Sequence, residues 1–223
     1  MPSDEQVEKL FALTEIMLEV NKSMNLTAIT EESAVILKHY ADSVSISHMI
    51  PERASVIDVG CGAGFPTLPL AIFRPDITVL GLDSTAKRIE YVKNTAAKLG
   101  LTNVSAIAGR AEELGKSPEY REKFDVATAR AVAALPILCE ICIPFVKPGG
   151  KFVAMKASHG VEESLIAANA ITLCGGRLLS QIELDLTADG STLEKRLILD
   201  ISKITSTPAK YPRHYSQISK KTL

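Results

Sequence analysis

No apolar run in this 223-residue chain approaches the roughly 18 residues that a membrane span requires. The first residues, MPSDEQVEKL, lack the charged-then-apolar order of a signal peptide. No membrane partner is therefore expected. Cysteine is scarce, and the only close pair, Cys139-x-x-Cys142, lies inside the apolar stretch LPILCEICIPF with no second pair and no nearby histidine. That argues against a disulfide framework, a zinc centre or a redox motif. No metal site is expected, and the thiols read as packing residues of a reduced, cytoplasmic protein. Repeats, low-complexity segments and long linkers are also missing. The formal net charge is only −1, so the chain as a whole does not announce a polyanion partner. Acidic residues do run out at one end. From 203 to 223 there are Lys203, Lys210, Arg213, Lys220 and Lys221 and no Asp or Glu. A basic tail (203–223) on an acidic body hints at phosphate contact, although such a tail is equally well explained as merely solvated. The short acidic body leads us to expect a monomer.

What is present divides near residue 50. Ser3 and Asp4 precede Val7, Leu10, Phe11, Thr14, Met17 and Leu18 at helical spacing, ending at Asn21 and Lys22. Thr30 is placed to cap a second helix carrying Val35, Ile36, Tyr40, Val44 and Ile46. Residues 1–50 are therefore expected to form a helical extension packed on a domain spanning 51–223. That domain shows strand-like runs at 55–59, 77–83, 104–108, 124–129, 150–156, 177–184 and 195–202. Helical stretches near 67–73, 85–99, 111–114, 135–146 and 160–174 separate the first six. This alternation predicts an α/β fold, a parallel sheet covered on both faces. The last two strands, joined only by the polar loop TADGST (187–192), should pair antiparallel. Seven mostly parallel strands with a terminal antiparallel hairpin match Rossmann-like methyltransferases; a dehydrogenase would carry a second βαβ half instead.

In an open α/β sheet the ligand lies at the carboxyl ends of the strands, near the point where strand order reverses. Here VIDV is followed by Gly60, Gly62 and Gly64, glycines that permit positive φ and close backbone approach. The dinucleotide fingerprint is G-x-G-x-x-G, but Phe65 and Pro66 stand where its third glycine belongs. With Asp58 before it, the turn suits S-adenosylmethionine, which has no phosphate and an ammonium group to satisfy. Asp83 ends the second strand, where an acid accepts from ribose hydroxyls; it would also serve as a cap for the helix near Thr85. Ala111-Glu112 follow the third strand, where adenine is usually held, although Glu112 alone would pass as a surface residue.

After the fourth strand, FDVATARAVAALP lacks the D/N-P-P-Y/F motif of adenine-N6 methyltransferases, and it lacks the cysteine of a 5-methylcytosine enzyme. It offers Arg130 instead, which can stack on a base, bind phosphate, contact the cofactor or form a structural salt bridge.

Taken together, NKSMNLTAI (21–29), HYADSV (39–44), VIDVGCGAGFPTLPLAI (56–72), LDSTAKRIEYV (82–92), LGLTNV (99–104), RAEEL (110–114), FDVATARAVA (124–133) and KYPRHY (210–215) resemble the ribosomal RNA small subunit methyltransferase G family, also called glucose-inhibited division protein B. The resemblance covers almost the whole chain and departs from the common pattern at Cys61, Thr67, Ala129 and the end SKKTL. It implies a class I fold that uses S-adenosylmethionine, yields S-adenosylhomocysteine, and methylates N7 of one guanine in the 530 loop of 16S ribosomal RNA, near the decoding region of the small subunit. N7 is an unprotonated lone pair, so no general base is needed and Arg130 would act by positioning. Carried over, the cofactor would touch Asp58, Gly60, Gly62, Gly64, Phe65, Asp83, Ser84, Ala111, Glu112 and Arg130. Asn25, His39, Asp42 and Ser43 match in the helical prelude, with His39 favoured for structure over catalysis. Lys87, Arg88, Lys156, Lys210 and Arg213 are expected around the cleft mouth as RNA contacts. The competing readings are an NAD-dependent oxidoreductase and a non-catalytic RNA-binding or assembly protein.

Overall fold

Helix α1 (Asp4–Met24) starts with a capping box in which Ser3 and Gln6 satisfy each other's backbone amides. It ends two residues later than the sequence suggests, because Asn25 takes the left-handed C-cap conformation (φ 50°) and closes the last turn. Asn21 does not stop the helix. Its amide side chain donates to the Thr27 carbonyl and accepts from the Thr27 N–H, both at 2.9 Å, folding the next loop back onto α1. The second helix begins one residue late as well. Glu31, not Thr30, caps it, because its carboxylate reaches the amides of Ser33 and Ala34 and its charge suits a helix N-terminus. This helix runs as α2 (Glu32–Val35), a π-helical segment (Ile36–Ala41) and α3 (Asp42–Val44). The widened segment carries His39.

The structure, a computed structural model, describes residues 2–157, 160–187 and 194–223. Most of the expected polar loop, residues 188–192, lies outside the described residues. The strands are β1 (Ser55–Val59), β2 (Thr78–Asp83), β3 (Val104–Ala108), β4 (Phe124–Arg130), β5 (Val146–Ala157), β6 (Gly176–Leu186) and β7 (Glu194–Lys203). Between and after them lie α4 (Thr67–Phe73), α5 (Ala86–Lys98), α6 (Ala111–Leu114), α7 (Leu135–Cys142), α8 (Gly160–Leu173) and α9 (Tyr215–Ile218). The expected helix 135–146 stops at Cys142 because Pro144 has no N–H to continue the ladder; a single 3-10 turn, Ile143–Phe145, leads into β5.

The sheet order is β3-β2-β1-β4-β5-β7-β6. β1 to β5 are parallel, and β7 pairs antiparallel with both β5 and β6. The predicted hairpin is therefore present, with its second strand inserted inside the sheet. This order differs from the 3-2-1-4-5-6 of dinucleotide-binding sheets. Side chains alternate across the sheet: Ile57 and Val59 pack with Leu135, Leu138 and Phe145 on one face. Val56 packs with Ile46, Leu70 and Ile77 on the other. Leu13 and Met17 of α1 share a buried cluster with Phe65, Leu68 and Val92, so the prelude is packed against α4 and α5. All four cysteines are buried, and burial pushes the Cys139 and Cys142 thiols well up, as expected of packing residues.

The basic tail is not a free arm. Lys203 is buried and paired with Glu122 at 3.2 Å. The Arg121 guanidinium donates to the carbonyls of Gly115, Tyr211, Thr207 and Pro208. Residues 204–218 are thereby strapped across the domain. Among the described residues no helix is long and apolar enough to cross a membrane.

Candidate active site

Strand order reverses between β1 and β4, and two clefts open at the carboxyl ends there. The first, about 310 Å³, is lined by Gly60, Asp83, Ser84, Arg88, Arg110, Ala111, Glu112, Ala131, Val132 and Tyr215 among others. Its floor is the glycine turn. Gly60, Gly62 and Gly64 have φ of 78°, 54° and 85°. A Cβ on Gly60 would lie 2.4 Å from Val132 Cγ2, and one on Gly64 2.7 Å from Leu68 Cδ1. The turn is held by the Gly60 and Cys61 amides, which donate to the Leu82 carbonyl. Gly62 N–H donates to Asp83 Oδ2 at 3.1 Å, and Thr85 N–H to Asp83 Oδ1 at 2.8 Å. Asp83 thus braces the turn and the residue that opens the next helix, without capping that helix, while still lining the cleft.

Behind the turn Asp58 is fully buried. Its Oδ2 accepts from the Thr67 amide and hydroxyl, while among the described residues Oδ1 has no partner. Burial pushes its carboxyl up to about 6, against the pull of Thr67 and Arg130. Glu112 is also buried, and its Oε1 accepts from Arg110 Nε at 3.1 Å. The Arg110 guanidinium in turn lies 4.9 Å from the Tyr215 ring centroid. Tyr215 enters the cleft because the strapped tail delivers α9 there.

The second cleft, about 500 Å³, shares Ala131 with the first and adds Lys38, His39, Asp42, Arg130, Lys156, Glu163 and Arg196. Ala131 is left-handed (φ 56°), a conformation uncommon outside glycine, and it turns the chain between the two clefts. Arg130 Nη1 donates to Asp42 Oδ2 (2.8 Å) and to the Lys38 carbonyl (2.6 Å). Arg196 Nε donates to the other oxygen of Asp42 at 3.1 Å. His39 stacks on Phe65 with ring centroids 4.2 Å apart. Arg130 has no acceptor, so the His39 Nδ1 beside its Nη2 accepts, and His39 Nε2–H donates to Thr27 Oγ1. Burial, with Arg130 next, lowers the His39 pKa to about 4, which leaves it neutral at pH 7.

That shift predicts a pH effect. Between pH 6.5 and about 4 the unfolded chain binds a proton on this histidine that the folded chain resists, so its contribution to stability falls as pH drops through the window. Asp58 runs the other way: its raised pKa favours the fold as pH drops from about 6 toward 3.8. Comparing wild type with His39→Asn by denaturant melts removes the Asp58 term. The advantage of wild type is expected to shrink by about 3 kcal/mol between pH 7 and 4. A constant difference would contradict the neutral, buried imidazole.

The expected site residues thus separate. Gly60, Asp83, Ser84, Ala111 and Glu112 line the first cleft. Asp58, Gly62 and Gly64 build the turn beneath it. Phe65 does not line that cleft: its ring is buried and stacked on His39, and the Arg130 guanidinium, itself beside His39, lies 5.7 Å from the ring centroid. Arg130 faces the second cleft, where Asp42 draws it. Among the expected RNA contacts, Arg88 and Lys156 do reach a cleft, and Lys210 is exposed with its Nζ 5.1 Å from the Tyr211 ring. Lys87 instead borders a groove between α1 and α5. Arg213 is spent on Glu140, donating through Nε and Nη2 at 2.8 and 2.7 Å. Lys38, Glu163, Arg196 and Tyr215 had not been singled out. Only Tyr215 carried a sequence signal, the matching KYPRHY segment. Among the described residues no group of three His, Cys, Asp or Glu could hold a metal.

Solved structures sharing this fold include the TYW2 protein of M. jannaschii in complex with AdoMet (15% identity, TM-score 0.56, 78% of each chain covered). A second is a TehB-like SAM-dependent methyltransferase from Corynebacterium glutamicum (19% identity, TM-score 0.55, 85% of this chain and 98% of that one). At such identities they speak to the fold alone. The ribosomal RNA small subunit methyltransferase G of Alkaliphilus metalliredigens is 45% identical over 222 residues, covering 99% of this chain and 92% of that protein. The protein of the same name from Acetivibrio thermocellus is 43% identical, covering 99% and 90%. The model of the family described as rRNA small subunit methyltransferase G matches residues 6–188. The chain belongs to the rRNA small subunit methyltransferase G family.

Proposed function

We propose that this protein transfers a methyl group from S-adenosylmethionine to N7 of one guanine in the 530 loop of 16S ribosomal RNA, working on the small subunit as a monomer in the cytoplasm. The observation that carries the reading is the junction of two clefts across Ala131, one floored by a glycine turn and the other bordered by four cations, Lys38, Arg130, Lys156 and Arg196.

The first cleft fits the cofactor. The unpartnered Oδ1 of buried Asp58 supplies negative charge behind the turn, which suits an ammonium-bearing ligand better than a pyrophosphate. Gly60, Asp83, Ser84, Ala111, Glu112 and Tyr215 would hold it, with Gly62, Gly64, Phe65 and Arg130 shaping the pocket from outside. When bound, the cofactor supplies a methyl group on a positively charged sulfur. Transfer of that methyl would break the carbon–sulfur bond and form the N7–carbon bond, leaving the electron pair on sulfur and the positive charge on the guanine. No proton moves, so the chemistry asks for no base; His39, neutral with both ring nitrogens engaged, is left to structure. The protein's part is to bind, orient and stabilise the migrating charge. We further propose that residues 1–50 act as an extension of the 51–223 domain, supplying the wall of the second cleft. Lys210, Lys156 and Arg88 would meet RNA phosphates.

Incubation with labelled cofactor and small subunits from a strain lacking this enzyme, followed by mapping of 7-methylguanosine, tests the reading. One modified guanine is expected. Cofactor binding without transfer would point to an assembly role instead. Tyr215→Ala is expected to weaken cofactor binding by roughly 1 kcal/mol, about fivefold, in calorimetry. Unchanged affinity would remove the tail from the binding site.

A further inference from the structure

We propose that the second cleft is the acceptor pocket and that Glu163 is the residue that reads guanine in it; this rests on the guanine-N7 reading above. Guanine carries N7 and O6 as acceptors on one edge, while its N1–H and N2–H₂ donors lie side by side on another. With N7 offered to the first cleft, those two donors turn away from it and need a pair of adjacent acceptors. A carboxylate is the one side chain that offers acceptors only, two at a time.

Among the described residues two carboxylates line the cleft, Asp42 and Glu163. Asp42 is buried, with one oxygen spent on Arg130 and the other on Arg196. Glu163 is different. Its Oε2 accepts from the Leu135 amide at the start of α7 and from Lys156 Nζ, both at 2.8 Å. Among the described residues no hydrogen bond falls on Oε1, and the side chain is 29% accessible. Lys156 is itself fixed by donating to the Ala133 carbonyl at 3.0 Å. The carboxylate is therefore held from behind and presented to the cleft. Adenine, with a bare lone pair at N1, would be repelled by it.

The same contact would assist the reaction. As the N7–carbon bond forms, positive charge spreads through the ring and makes N1–H and N2–H stronger donors. Their bonds to Glu163 tighten in the transition state more than in the ground state, which raises rate as well as selectivity.

The test compares small subunits reconstituted with guanine or inosine at the target position; inosine lacks the N2 amine and keeps N7. Wild type is expected to methylate inosine on the order of tenfold more slowly, as for a lost hydrogen bond to a charged group. Glu163→Gln is expected to lose on the order of ten- to a hundredfold on guanine and to treat the two bases alike, with cofactor affinity by calorimetry and melting temperature little changed. A purely structural role would slow both bases equally and preserve wild type's preference for guanine; that outcome overturns the inference. Wild type that methylates no ribosomal guanine at all would overturn the underlying functional reading instead.

Discussion

Arg130→Ala should reduce methyl transfer by at least a hundredfold while leaving cofactor affinity within a few-fold of wild type. The reasoning is geometric. Arg130 does not line the first cleft. It joins the end of β4 to the prelude through Asp42 and the Lys38 carbonyl, lies beside His39, and covers the Phe65 ring. Truncation removes a cation from the acceptor pocket and releases the wall that carries Lys38 and His39. Misplacement of a bound reactant by about 1 Å costs on the order of a hundredfold. Arg130→Lys should not restore the rate, since one ammonium cannot both replace Nη1 on Asp42 and the Lys38 carbonyl and reach His39 as Nη2 does. Single-turnover transfer rates set against calorimetric affinities check this. Normal methylation of small subunits by Arg130→Ala would show that the residue has no positioning role.

The largest effect on stability is expected at Arg213→Ala. Glu140 is fully buried on α7, and its carboxylate accepts from the Arg213 backbone amide and from both arms of the guanidinium. Removing the cation leaves a buried charge without its counterpart, which costs about 3–5 kcal/mol. For a domain of this size that corresponds to a fall in Tm of roughly 6–20 °C. The same change frees the strap that brings Tyr215 to the first cleft, so cofactor affinity should fall with it. Glu140→Gln together with Arg213→Ala should recover part of the stability, because no charge is then stranded. A melting temperature unmoved by Arg213→Ala would mean that the pair is not formed in solution.

The two experiments bear on residues whose partners the sequence does not display. Arg213 sits in a run of cations without acids, and local composition makes such a residue look solvated or phosphate-bound. Its partner lies on α7, 73 residues earlier, and nothing near Arg213 announces it. Lys203 was misplaced for the same reason, being counted in a tail although it is buried against Glu122. Phe65, read as a cofactor contact from its place in the motif, stacks on the neutral His39 imidazole, a neighbour 26 residues away that the motif does not display. Glu31 displaced Thr30 as a cap because a longer carboxylate reaches two amides at once.

The glycine turn and the alternation of strands and helices were legible in the sequence because each rests on local physics. Positive φ at Gly60, Gly62 and Gly64 and apolar runs of strand length are settled by neighbours a few residues away. The cofactor class was read from that local pattern, and the family from matching segments spread over almost the whole chain. The acceptor pocket was decided only by tertiary structure. Asp42 and Arg196 stand 154 residues apart and meet because β7 inserts between β5 and β6, a choice of sheet order that no run of residues displays. Long-range charge pairing depends on which surfaces the packed core brings together. For that reason the chemistry of the turn can be read along the chain, and the partners of Arg130, Glu163 and Arg213 only across it.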